Sequence, residues 1–182
     1  MEYKRTILLK DGRTCILRNA EEQDGQAVLA NFLLTHGQTD FLTTSPEEAT
    51  FTVEQEKAYL RKKMENVREI ELVAEVDGVI TGSAGVDSLG SAEKIRHRAS
   101  FGISIDQAWW GLGIGRGLTE ACIECAGAMG YSQLELEVVA ANERAYRLYR
   151  SLGFVEYGRN PRGFRSRASG LQEIVLMRLE LD

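Results

Sequence analysis

Prolines are scarce in this chain, two in 182 residues. No stretch rich in glycine, serine or charge is long enough to act as a linker, so residues 1–182 are read as one domain. Histidine is as rare: His36 and His97 stand far apart without companions at ligand spacing, which argues against a histidine-centred metal site. Cysteines number three, an odd count that points to reduced thiols rather than a bridged framework. Charge interrupts every apolar run well before the roughly 20 residues that a membrane-spanning helix needs. Met-Glu-Tyr-Lys-Arg opens no signal peptide, so no membrane is expected and a cytoplasmic location is the default. Positive charge is not in excess either. Lys and Arg total 22 against 27 Asp and Glu, a net charge of -5 that disfavours binding to nucleic acid through a basic face. What remains, 43% hydrophobic and 27% charged, is the composition of a soluble domain with a sizeable core.

Hydrophobic spacing gives the order of elements. Ile7 to Arg18 holds two short strand-like runs around Asp11-Gly12, a tight-turn signal. Asn19 with Glu22 three residues on suits a helix start, and Val28, Leu29, Phe32 and Leu33 then recur at helical spacing. Thr52-Val-Glu-Gln55 is a capping box ahead of a second stripe, Leu60, Met64 and Val67. Gly37 to Phe51, between these helices, is long for a connection and is the first place to look for substrate contacts. The middle is rich in β-formers: Glu71 to Val76, a turn at Asp77-Gly78, Val79 to Thr81, a reversal near Leu89-Gly90, then Ala99 to Ile105. A helix follows with Leu118, Ala121, Cys122, Cys125 and Met129 on one face and Gly130 as its stop. Leu134, Leu136 and Val138 alternate as in a strand, and Asn142 caps a last helix striped by Ala145, Leu148, Tyr149 and Leu152 and closed by Gly153. Phe154 to Tyr157 and Glu173 to Leu181 read as final strands separated by an arginine-rich loop. The sum is an α/β domain built on one mixed sheet.

The segment with most chemical content is Trp110-Gly-Leu-Gly-Ile-Gly-Arg-Gly117, set between a strand and a helix. Closely spaced glycines let backbone N–H groups converge on an anion, and the helix N-terminus adds free donors and a positive dipole end. The spacing fits neither a dinucleotide fingerprint nor a P-loop. A turn that binds nothing is the plain alternative. Cys122 and Cys125 have metal-like spacing but lie on an apolar helical stripe, as packed core thiols do. Arg159, Arg162, Arg165 and Arg167 crowd one segment, either as a solvated loop or against an anionic group. Trp109 suits a sheet-edge anchor or a substrate wall.

Gly111 to Arg116, together with Asn142-Glu-Arg-Ala-Tyr-Arg-Leu-Tyr149 and Gly153-Phe154, resembles the GNAT superfamily of acyl-CoA-dependent N-acetyltransferases. The first segment is similar to that family's Gly-x-Gly pyrophosphate loop, the second to its Asn-x-x-Ala-x-x-Leu-Tyr helix. The order of elements resembles the family's over nearly the whole chain, with likeness to its ribosomal-protein acetyltransferase branch. Trp110 departs from the Arg or Gln usual at its place. The resemblance implies a single-domain GNAT-like α/β fold, with a mixed, mostly antiparallel sheet flanked by about four helices. It implies acetyl-CoA as acetyl donor, with the backbone of Ile103, Ser104 and Ile105 along the pantetheine arm. Gly111, Leu112, Gly113, Ile114, Gly115 and Arg116 would surround the pyrophosphate, and Asn142 would meet the pantetheine as well as capping its helix. Tyr149 would protonate the departing sulfur, although a core tyrosine would occupy the same stripe. Glu137 is the expected base, against a solvated strand carboxylate, with Asp106 as fallback. The implied acceptor is a primary amine: a protein N-terminus, polyamine, amino acid or aminoglycoside. A homodimer is also expected by resemblance, and the rival reading is a catalytically silent acyl-CoA-binding domain.

Overall fold

β1 (Lys4–Leu8) and β2 (Thr14–Asn19) form the opening hairpin, turned at Gly12, whose φ of 88° is open to glycine at little cost. The computed structural model describes residues 1–181. The first helix begins later than the Asn19 signal implied. Asn19 ends β2, where its side chain accepts from the Tyr3 N–H at 2.7 Å, and a short turn over Glu22–Asp24 leads into α1 (Gly25–Gln38). Asp24 is drawn instead to Arg18, so the local donors and acceptors move the start by several residues. α2 (Val53–Glu65) opens as its capping box requires, with the Thr52 hydroxyl accepting from the Gln55 N–H at 3.3 Å.

β3 (Ile70–Val76) and β4 (Val79–Ser88) are joined by Asp77 and Gly78, both at positive φ (50° and 79°), as a two-residue hairpin turn demands. β5 (Arg98–Ile105), α3 (Ile114–Ala128), β6 (Gln133–Val139), α4 (Glu143–Ser151), β7 (Val155–Ser166) and β8 (Gly170–Glu180) complete the chain. β8 begins only three residues earlier than read, whereas β7 is far longer than the sequence indicated, because most of the arginine-rich segment is itself strand. Irregular register after Glu156 and Asn160 hides its alternation. Arg159 there pairs with Glu156 and Glu173, each at 2.6 Å.

The eight strands form one sheet in the order β1-β2-β3-β4-β5-β6-β8-β7. Every neighbouring pair is antiparallel except β5 and β6. That parallel pairing lasts only from Arg98–Ser100 against Gln133–Glu135, after which the strands part and leave a wedge. The expected GNAT-like α/β architecture, a mostly antiparallel sheet with four helices, is the one observed.

The two faces of the sheet are packed differently. One carries the main core, where Leu17, Leu72, Val86, Leu118, Cys122, Leu134, Phe154 and Met177 are sealed from solvent. Each such large side chain contributes about 1.5–3 kcal/mol from burial. α3 approaches this face closely because position 117 is glycine: a Cβ there would sit 2.6 Å from the Ile7 Cδ1. Burial raises the thiol pKa of Cys122 and Cys125, which lie in this core as inert packing groups. Beneath α1 and α2 the second face has a much smaller cluster, Ala20, Val28, Leu60 and Val73, and therefore room for a cavity.

Candidate functional site

Two clefts meet at the wedge. The first, about 610 Å³, is lined by Ile103, Ser104 and Ile105 of β5, by Gly111, Gly113, Gly115 and Arg116, and by Asn142, Ala145, Leu148 and Tyr149 of α4. Residues as far apart as Ile103 and Tyr149 thus converge because β5 and β6 diverge after Ser100, and α3 and α4 start from the ends of those two strands.

The glycine turn has the form that anion binding needs. Gly111 and Gly113 stand at φ 82° and 110°, conformations that side chains avoid, and an added Cβ on either would meet nothing within 4 Å. Gly113 is the N-cap of α3 and supplies no side-chain cap. Among the described residues no protein acceptor takes the N–H groups of Gly111 through Arg116. These are the free donors that the start of a helix turns toward an anion. The loop is steadied from both sides: the Lys10 N–H donates to the Leu112 carbonyl at 3.1 Å, and Arg116 donates to the Ser151 hydroxyl at 2.7 Å. Leu112 and Ile114 do not line the cleft. Ile114 points into the core at 1% exposure, so these two bring backbone only.

Trp110 does more than lend backbone. Its indole N–H donates to the Ile105 carbonyl at 2.7 Å, closing the end of β5, and the Arg144 guanidinium lies 4.6 Å from its ring. Trp109 is covered by Arg13 at 4.2 Å, so both tryptophans carry an arginine.

On α4 the Asn142 Oδ1 accepts from the Ala145 N–H at 3.3 Å, the N-cap expected from sequence, while its side chain also borders the cleft. Tyr149 is 7% exposed, its ring set against Phe101 and Phe154 with centroids 6.0 Å and 5.9 Å away. Burial alone raises its pKa well above the ordinary phenol value. No protein group among the described residues bonds its hydroxyl, and Tyr149 is one of the residues that line the cleft.

The carboxylates singled out as bases lie elsewhere. Glu137 faces Leu176 across the β6–β8 ladder, is exposed, and lines neither cleft. Alternation does place it opposite Leu136 and Val138, on the face that also carries Ser100, Gly102 and Ser104, but it stands exposed there outside both clefts. Asp106 accepts from the Gln38 amide at 2.8 Å and the Ala108 N–H at 3.1 Å, a structural engagement at the end of β5.

The second cleft, about 540 Å³, lies under α1 and α2 and shares Leu42, Ile103 and Ser104 with the first. The long connection after α1 spans both, with Phe41 on one and Thr43 and Phe51 on the other. Its first two expected residues, Gly37 and Gln38, belong to α1. Glu56, Glu71 and Asp87 line the second cleft beside Phe32, His36 and Tyr59. Burial raises the Glu71 carboxyl to about 7, with a Ser83 hydroxyl bond pulling the other way. These residues gave no motif. The signal available was a pair of mid-strand glycines, Gly85 and Gly102, which marks close approach to a strand surface.

Residues 37–154 match the family model described as "Acetyltransferase (GNAT) family". The acetyltransferase of GNAT family from Streptococcus pneumoniae superposes with a TM-score of 0.87 at 28% identity, covering 91% of this chain and 99% of that one. The Salmonella typhimurium protein yncA, solved with its cofactor acetyl-CoA, shares the fold at a TM-score of 0.80 and 23% identity over 92% and 94% of the two chains. N-alpha-acetyltransferase RimI of Mycobacterium tuberculosis is 36% identical over 89 residues, 48% of this chain and 53% of that protein. The chain thus spans about half the length of that curated relative.

Proposed function

Because the chain belongs to the acetyltransferase (GNAT) family, we propose that it moves an acetyl group from acetyl-CoA to a primary amine by direct attack. The observation that carries this reading is the first cleft itself. A run of free N–H groups at its mouth suits a pyrophosphate, an unpaired strand edge suits an amide-bearing arm, and a phenol hydroxyl without a protein partner stands beside them. The donor supplies the acyl group already activated as a thioester. The exchange forms one C–N bond, breaks one C–S bond and releases a free thiol.

Each residue has a part in that exchange. The amides of Gly111 to Arg116 hold the pyrophosphate, with Arg116 adding charge. The Ile103–Ile105 backbone and the Asn142 side chain align the arm. Tyr149 donates its proton to the leaving sulfur and recovers one from the acylated nitrogen through water. In an apolar pocket that proton matters most as charge develops, which is where a catalytic group acts. The amine's proton leaves through water, since Glu137 is exposed and lines neither cleft.

Incubation with acetyl-CoA and an amine panel, followed by free thiol, tests this reading. A silent acyl-CoA-binding domain would be stabilised by CoA yet release none. The free thiols Cys15, Cys122 and Cys125 suit a reducing cytoplasm, where we place the protein. β1 and β7 are the sheet's outer strands, and pairing of one of them in a homodimer is the expected assembly. A monomer in light scattering at high micromolar concentration removes it.

A further inference from the structure

We propose that the second cleft selects an α,ω-diamine as acceptor, one nitrogen reacting at the Ile103–Ser104 edge and the other held as an ammonium by Glu56 and Glu71. This inference rests on the acetyl-transfer reading and adds the substrate class.

Register across three strands places the parts. Glu71 of β3 stands opposite Gly85 of β4, which stands opposite Gly102 of β5, and one row along the same face Val73, Ser83 and Ser104 are aligned. The glycines make the floor. A Cβ at Gly85 would lie 2.5 Å from the Glu71 Oε2, so only glycine leaves that carboxyl its place, and a Cβ at Gly102 would meet nothing within 4 Å. Ser104 belongs to both clefts, so its row is where donor and acceptor come together. The Glu71 row lies two residues away, about 7 Å along the strand, a span that roughly four or five methylenes bridge between two nitrogens.

Charge points the same way. Lys63 is 5% exposed and bonds Asp87 and Glu69, so those two acids have their cation. Glu56 has no such partner, and Glu71 has the Ser83 hydroxyl and only the unbonded charge of Lys63. Glu56 is only 8% exposed, lines the cleft, and has no hydrogen bond or ion pair to its carboxyl among the described residues, so an unpartnered buried acid faces the cavity. Burying it without a partner is costly unless a ligand supplies one. No Lys or Arg lines the cleft among the described residues, which leaves nothing to receive the carboxylate of an amino acid. His36 offers no substitute: burial lowers its pKa, its Nδ1 is engaged with the Phe32 carbonyl at 2.8 Å, and its ring stacks on Phe32 at 3.7 Å. The remaining walls, Phe32, Phe51 and Tyr59, suit methylenes and an ammonium over aromatic faces.

The test measures binding to the full chain by calorimetry with CoA present, using 1,4-diaminobutane, 1-aminobutane and alanine, with thiol release from acetyl-CoA followed in parallel. The diamine should bind ~10-fold tighter than the monoamine, the scale of one charge-assisted contact. Glu56→Gln and Glu71→Gln should each shrink that preference while the melting temperature holds or rises, because each removes a buried acid and keeps its shape. Equal affinity for diamine and monoamine, or a preference untouched by both substitutions, overturns the assignment whether or not thiol is released. Diamine binding without thiol release from any amine leaves the cation site standing and refutes the acetyl-transfer reading instead.

Discussion

Tyr149→Phe separates catalysis from packing more cleanly than any other change, because of what the hydroxyl lacks. The ring packs at 6.0 Å from Phe101 and 5.9 Å from Phe154, and phenylalanine keeps both contacts. Losing a buried hydrogen bond usually costs about 1 kcal/mol, but here no protein partner is left unpaired, so the stability change should be only a few tenths of that. The rate should respond in the opposite sense. A positioned general acid is worth ~10²-fold or more, and a hundredfold loss in kcat corresponds to about 2.7 kcal/mol in the barrier. Since burial raises the phenol pKa, Tyr149 stays protonated across the working pH range, and the residual activity should keep the parent's pH profile. The assay is thiol release at saturating acetyl-CoA, run beside a melting curve with and without CoA. A variant that melts normally, binds CoA and turns over within about threefold of the parent would refute the proton-donor role, since a general acid is worth far more than that.

How much of this was legible in the sequence depends on whether local chemistry or distant pairing decides each feature. The Asp77-Gly78 hairpin, the Thr52 cap, the α3 stripe and the Asn142 cap are decided within a few residues, and each was readable. Asn19 misled because a cap signal is also a good hydrogen-bonding residue at the end of a strand, and the Tyr3 N–H claimed it. The arginine-rich strand carries no readable signal because bulges break the period of two on which strand reading rests, and the pairing of Arg159 with Glu173 across the β7–β8 ladder has no local signature. The first cleft was legible as residues because its glycine turn and α4 motif are contiguous. That they meet follows from the parting of β5 and β6 after three paired residues, a long-range fact without a local signature. The second cleft was invisible for the same reason. Glu56, Glu71 and Asp87 come from three elements, and the strand glycines that make their floor carry no motif. Glu137 follows from the family resemblance, and alternation adds a face for it but not what covers that face.

Gly113→Val should abolish stabilisation by CoA, since a φ of 110° strains any side chain by about 1–3 kcal/mol and the group would project into the free N–H run. A folded variant with unchanged CoA affinity by thermal shift would show that the loop is not the pyrophosphate site. Cys15, Cys122 and Cys125 should resist alkylation in the native protein and react fully in urea, because all three are buried with raised pKa; rapid native labelling of any would contradict that packing. The pH dependence of stability should carry the mark of Glu71. Its carboxyl titrates near 7 in the fold against an ordinary 4.5, held up by burial and by Asp87 and Glu56, with Ser83 and Lys63 opposing. Below 4.5 folded and unfolded chains are both protonated there. Between 4.5 and 7 the unfolded chain has released a proton that the folded chain retains, so stability must fall as pH rises through that window and level off above it. Asp24 works in the reverse direction and in another range: its pKa is lowered beside Arg18, so its contribution is present above 3.8 and lost only in stronger acid. Melting temperatures from pH 5 to 8 therefore report the acids of the second cleft together with His36, whose lowered pKa works the other way and adds stability as pH rises toward 6.5. Glu71→Gln should flatten the decline without erasing it, because Glu56 is shifted in the same direction. Parallel curves for parent and variant would mean that Glu71 ionises in the fold as it does in water.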